Sequence, residues 1–180
     1  MSELLKDIQN LGKNNKEKQQ LVDELVSLVE NAGYSILEVD SARPWGGFIR
    51  IDNAQADRFV EEFFSGLTPS GARLGIEGAE LSPKFLIFSP HQRLSWQYHH
   101  KRAERWKFLT PGHYSRSLDD QEGEQQQAVA GQEVQFNKGE RHRGGAFDSY
   151  TIAAEIWQHI DPGQLSDESD IVRLSDDYNR

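Results

Sequence analysis

Three side chains able to hold a metal fall between Leu94 and Gly112, in the stretch LSWQYHHKRAERWKFLTPG: Gln97, His99 and Glu104. A fourth, His142, follows in NKGERH. Residues two apart on a strand share a face, so Gln97 and His99 project together while Trp96 and Tyr98 point away. The polar link from His100 to Ala103 offers a turn that returns Glu104 alongside them. Gly139 sits in a turn able to present His142 to the same cavity. Two imidazoles, a carboxylate and an amide oxygen form a mixed nitrogen and oxygen set. Such a set suits Zn, Mn, Fe, Ni or Co without choosing among them. Q-x-H also occurs by chance, and a strand histidine is commonly a surface or hydrogen-bonded residue. His91, His100, His113 and His159 have no partner at useful spacing and read as non-ligands.

The surrounding charge is uneven. Net charge is −9, which argues against a general nucleic-acid binder. Yet Lys84 to Arg116 carries seven basic residues (Lys84, Arg93, Lys101, Arg102, Arg105, Lys107, Arg116) against one acid, Glu104. The run fits either a pocket for a small anion or a solvated basic strand edge that deters edge-to-edge pairing.

The elements that position these groups follow from periodicity. Met1 to about Gly33 reads as helical, with Leu21, Val22, Leu25, Leu28, Val29 and Ala32 on one face and Gly33 as the terminating residue. That face is expected to pack on a barrel or a second subunit. Tyr34 to Val39 reads as a short strand and Ser41 to Phe48 (SARPWGGF) as turn-rich. A second helix is expected over about 53–65, capped by Asp52 or Asn53, with Ala56, Phe59, Val60, Phe63 and Phe64 inward. Residues 66–80 form a glycine-rich loop without a nucleotide phosphate motif. Strands are then expected over 84–88, 94–100, 105–109, 113–118, 127–136 and 149–160, which together point to an antiparallel sandwich or barrel. A polar hairpin or mobile loop is expected at 119–126. The acidic tail from Asp161 is expected to lie over the outside of the barrel.

The 180 residues are about one domain, and no run approaches the roughly 20 apolar residues of a membrane span. With no cysteine there is neither a disulfide framework nor a thiolate metal site. No signal-peptide pattern opens the chain, so the expectation is a cytoplasmic protein that binds neither membrane nor nucleic acid.

Lys84, Leu86, Pro90, Leu94, Ser95, Gln97, His99, Arg102, Ala103, Glu104 and Trp106 together form a pattern that resembles the cupin domain of type II mannose-6-phosphate isomerases. That family reads roughly K-x-L-x-x-x-P-G-x-x-L-S-x-Q-x-H-x-x-R-A-E-H-W. Upstream, Arg43-Pro44-Trp45-Gly46 matches its RPWG. Downstream, Glu155 stands at the family's glutamate, and Asp170-Ile171-Val172-Arg173, Asp177-Tyr178 and Arg180 match its closing motif. The resemblance covers about residues 43–180. It departs at His91 for a glycine, Arg105 for the histidine of RAEHW, Asn137 for a proline and Ala146 for an asparagine.

The resemblance implies a mainly β fold, a cupin (double-stranded β-helix or jelly-roll barrel) over 41–180 behind an N-terminal helical extension over 1–40. It implies a divalent metal on Gln97, His99, Glu104 and His142. It further implies a metal-dependent sugar-phosphate aldose–ketose isomerase, with Glu155 and Arg102 as catalytic groups and Lys84 and Arg173 binding the substrate phosphate. Glu155 also fits a structural carboxylate in a salt bridge. A homodimer is expected, and the nucleotidyltransferase domain of longer family members is not. Two other functions remain open at this stage: a sugar- or anion-binding cupin without catalysis, and a metal-dependent oxygenase.

Overall fold

The computed structural model describes residues 2–13 and 16–179; Met1 and Arg180, included in the readings above, lie outside them. Two helices stand where one was expected, α1 (Glu3–Leu11) and α2 (Lys18–Asn31). The sequence GKNNKE between them has no apolar residue to continue the stripe, and Gly and Asn are poor helix formers. Ser2 caps α1 by accepting the Leu5 N–H. After α2, Gly33 takes φ +84°, its N–H donates to Glu30 and that of Tyr34 to Val29. This is the left-handed termination for which a glycine serves best.

The chain continues through β1 (Ile36–Asp40), β2 (Gly46–Ile51), a 3₁₀ turn at Asn53–Gln55, α3 (Ala56–Phe63) and α4 (Pro69–Ala72). Asp52 accepts the Ala54 N–H at the start of this helical segment. Residues 66–80 are thus not wholly loop: Thr68 caps Gly71 and Pro69 opens a short turn of helix. Nine further strands follow: β3 (Lys84–Phe88), β4 (Trp96–Tyr98), β5 (Arg102–Phe108), β6 (Gly112–Ser117), β7 (Gln126–Ala128), β8 (Glu133–Phe136), β9 (Arg141–Gly145), β10 (Thr151–His159) and β11 (Val172–Ser175).

These strands make two antiparallel sheets, one in the order β1-β2-β3-β10-β5-β8 and the other β11-β4-β9-β6-β7. Alternation divides the six-stranded sheet into two faces. Ile49, Phe85, Ile87, Ile152 and Ile156 pack outward with Ile8, Leu25 and Phe59 of the helices. Leu86, Phe88, Trp106, Phe108 and Phe136 pack inward with Tyr114 and Ala146 from the second sheet's side. The helices therefore lie on the barrel, and β1, inside the expected extension, is an edge strand of its larger sheet.

Several sequence expectations need correction. SARPWGGF is only partly turn, because β2 begins at Gly46. A Cβ there would sit 1.8 Å from the Ile87 carbonyl oxygen, and one at Gly47 would sit 2.4 Å from that of Asp40. These glycines permit close strand approach rather than a bend. The 127–136 run is two strands divided by a turn at Gly131 (φ +91°). The turn at 138–139 is present as expected and leads into β9, which carries His142. The loop at 119–126 is tied down by Asp120 to Arg141 and Glu122 to Arg143. The tail does not lie over the outside: β11 pairs with β4, and Asp170 is buried.

Candidate metal centre

Strand pairing assembles the donor set. Gln97 on β4 is the register partner of both His142 on β9 and Arg173 on β11. His99 follows two residues after Gln97, and a tight turn at His100–Lys101 starts β5, which brings Arg102, Glu104 and Trp106 inward at every second position. His99, Glu104 and His142 each offer a ligand atom within 4.8 Å of the others, and all three are buried. Gln97 is also buried, lines the same cavity, and accepts a hydrogen bond from Ser95 Oγ at 2.6 Å.

The imidazole orientations are fixed from behind. His99 Nδ1 meets the Asp170 carbonyl oxygen at 2.5 Å, and His142 Nδ1 meets that of Glu140 at 3.0 Å. A carbonyl only accepts, so each Nδ1 carries the proton and each Nε2 presents a lone pair. Those lone pairs face carboxylate oxygens: His99 Nε2 is 3.0 Å from Glu104 Oε1, and His142 Nε2 is 3.2 Å from Glu104 Oε2. Acceptors so close call for a positive centre between them. Burial lowers the His99 pKa and so disfavours the imidazolium. Burial would raise the Glu104 pKa, but its neighbours His99, Arg102 and His142 outweigh it and hold the carboxylate ionised, well below its usual range. This donor set fits a divalent transition metal held by His99, Glu104 and His142, with Gln97 beside them.

A second carboxyl group adjoins this cluster. Trp106 Nε1 donates to Glu155 Oε1 at 2.9 Å and, more weakly, to Glu104 Oε2 at 3.2 Å. Glu155 is buried, and its pKa is pushed up to about 8, first by burial and then by the Glu104 charge, against the pull of Lys84 and Arg102. Lys84 Nζ lies 3.9 Å from Glu155 and 2.7 Å from Glu168. Arg102 Nε donates to Glu104 at 2.9 Å, and one of its terminal nitrogens lies 3.4 Å from His99 Nε2. Both cations also stand over Trp157, with Lys84 3.7 Å and Arg102 3.8 Å from a ring centroid.

These groups line one cavity of about 370 Å³, the lower part of the usual range for small-molecule sites, roughly 300–1,000 Å³. All eight expected site residues are near it: Lys84, Gln97, Arg102, Glu104, Glu155 and Arg173 line it, and His99 and His142 complete the cluster with Glu104. The basic run does not converge there, however. Of its seven cations only Lys84 and Arg102 reach the cavity; Arg93 pairs with Asp177, Arg105 and Lys107 with Glu133, and Arg116 with Glu140. The run as a whole therefore does not form one basic pocket, because carboxylates from other elements answer most of its charges.

The departures from the isomerase motif fall into place. Arg105 alternates with Glu104 and Trp106, so it points off the cavity, where Gln135 Oε1 accepts from it at 3.0 Å. Ala146 is buried in the inner apolar cluster. His91 adopts φ +61°, a left-handed conformation that glycine takes without strain. Sequence reasoning missed Asp170, Trp157 and Glu168 as parts of the site. Trp157 was accessible to it, two residues after Glu155 on the same face; Asp170 was seen only as part of the closing motif.

No protein-family model and no curated protein sequence matches the chain. Among solved structures, the capsular polysaccharide assembling protein CapF from Staphylococcus aureus is 16% identical with TM-score 0.51, the match covering 88% of this chain and 37% of CapF. A CapF structure with the inhibitor 3-isopropenyl-tropolone gives 14%, TM-score 0.52, and 96% and 46% coverage. A Cupin 2 conserved barrel domain protein from Salinispora arenicola CNS-205 is 18% identical over 50% of this chain and 71% of its own, with TM-score 0.40. The chain spans less than half the length of CapF, and at this identity the likeness is one of fold. The two sheets in this strand order define a cupin jelly roll. No helix among the described residues is long and apolar enough to cross a membrane.

Proposed function

We propose that this chain is a metal-dependent sugar-phosphate isomerase that interconverts an aldose and a ketose, as the mannose-6-phosphate isomerase motif suggests. The observation that carries the reading is Glu155: a buried carboxyl, with a pKa of about 8, in the same cavity as the His99–Glu104–His142 donor set. Aldose–ketose isomerisation removes the proton from C2 of the open-chain sugar, passes through an enediolate, and returns a proton to C1. A second proton moves from the C2 hydroxyl to the C1 oxygen. Glu155 is placed to carry the carbon-bound proton, since a group that titrates near neutral pH both takes and gives one. A divalent cation held by His99, Glu104 and His142 supplies electrostatic stabilisation of the developing oxyanion. Arg102 adds positive charge on the same side, while Lys84 and Arg173 orient the phosphate. The proposed assembly is a homodimer, with exposed Leu37 and Val39 on edge strand β1 as an available surface.

The test is a panel of sugar phosphates incubated with metal-reconstituted protein in deuterated water, read by proton NMR. Deuterium entering at the carbon next to the carbonyl, stopped by chelator and by Glu155→Gln, supports isomerisation. Undiminished turnover in a Gln97→Ala, His99→Ala double variant excludes it. The departures at Arg105 and Ala146 from the isomerase motif favour one other reading, a cupin that binds a phosphosugar without catalysis. Tight binding without deuterium uptake would select it.

A further inference from the structure

We infer that docking of the tail segment Ser166–Asp170 and binding of a divalent cation at His99 are coupled, with Asp170 as the positioning residue. The inference rests on the metal reading above and adds a regulatory property to it. Asp170 lies 71 positions after His99, outside the barrel motif, yet only 7% of it is exposed. Its carboxylate accepts the backbone N–H of His100 at 2.9 Å, that of Lys101 at 3.0 Å, and the Ser166 hydroxyl at 2.7 Å. Its backbone carbonyl receives His99 Nδ1 and a terminal nitrogen of Arg102, the latter at 3.2 Å. One residue thus holds every position from His99 to Arg102, the turn between the strands that bear His99 and Glu104.

The two histidines differ in what orients them. His142 finds its carbonyl two residues away, on Glu140, so its orientation is set by the residue that leads into its own strand. His99 takes its carbonyl from the tail. Residues 161–169 form no helix or strand and are mostly exposed, and beyond Asp170 the segment is anchored by Glu168 on Lys84 and by β11 that follows it. Arg102 adds bonds to Ser166 Oγ at 2.7 Å and to the Asp167 carbonyl at 3.1 Å. With the segment undocked, the His99 ring loses the acceptor that selects its tautomer and rotamer. Outer partners of this kind typically govern 10–100-fold in metal affinity. By linkage, a cation that prefers the oriented ring favours the docked tail by the same factor.

The experiment uses the full chain and Co(II), titrated by visible absorption at a temperature where circular dichroism shows each variant folded. His99→Ala is expected to abolish binding, Asp170→Ala to weaken it about 10–100-fold, and Asp170→Asn, which keeps one acceptor, to weaken it less. Limited proteolysis of wild type is expected to cut within 161–169, more slowly with Co(II) than without. An Asp170→Ala variant that melts earlier but binds Co(II) as tightly as wild type overturns the coupling, as does cleavage indifferent to Co(II). Should Asp170→Ala fail to fold, the proteolysis and Ser166→Ala, expected to weaken binding severalfold, decide in its place. Loss of binding in His99→Ala beside unchanged binding in Asp170→Ala sinks the coupling and leaves the metal site standing. A wild type that takes up no Co(II) overturns both.

Discussion

The two faces of β10 do opposite work with one strand. Outward, Ile152, Ala154 and Ile156 pack against the helices in the larger apolar cluster. Inward, Glu155 and Trp157 face the cavity with its cations and carboxylates. All nine residues of the strand are buried, so burial alone does not separate them. What separates them is what each face is buried against. The outer face uses apolar contact, which is non-directional and tolerant of its neighbours. The inner face depends on partnered charge, where losing one group strands the next. Stability and chemistry are thus assigned to opposite sides of a single backbone, and variants on each side should separate the two.

The largest effect is expected inside. Replacing His99 or His142 with Ala removes a donor outright and should cost more than about 100-fold in Co(II) affinity, above the usual effect of an outer partner; isothermal titration measures it. Outside, Phe59→Ala removes a fully buried ring that packs on Phe85 and Phe63. It should lower unfolding stability by about 3–5 kcal/mol in urea melts, while the folded fraction binds metal as before. A loss of metal affinity there would break the separation of faces.

Glu155 gives a pH signature. Its pKa rises from 4.5 in the reference state to about 8 in the fold, so between those values the folded protein holds a proton that the unfolded chain has released. Stability of the chelator-treated protein should therefore be fully supported below about pH 4.5 and decline as pH climbs through about 8. Glu155→Gln should flatten that decline in melts across the range. Glu168→Gln should have a smaller effect, raising affinity for inorganic phosphate roughly two- to fivefold by releasing Lys84 from a partly exposed carboxylate. Smallest of all, Arg105→His should leave turnover and stability nearly unchanged, because Arg105 points off the cavity.

The donor residues were legible because strand spacing is short-range information: Gln97 with His99, and Glu104 beyond a turn, need only period two. His142 was read from the turn at Gly139, and the resemblance added Glu155; only the fold brings the two near the others. What stayed hidden was long-range. Glycines at 46 and 47 read as turn because their close approach to Ile87 and Asp40 is a tertiary fact. The basic run read as a pocket or an edge because the partners of its charges, such as Asp177, Glu133 and Glu140, sit far along the chain. The tail read as outer wrapping because acidity suggests solvent, whereas Asp170 meets enough donors to be buried.

One indole N–H serves two carboxylates. Trp106 cannot satisfy Glu104 and Glu155 equally, and its distances already favour Glu155. Anything that draws Glu104 toward another partner hands the whole donor to Glu155, and a proton arriving on Glu155 returns it. The single N–H therefore ties the two acids together, since whichever carboxylate it favours leaves the other with less.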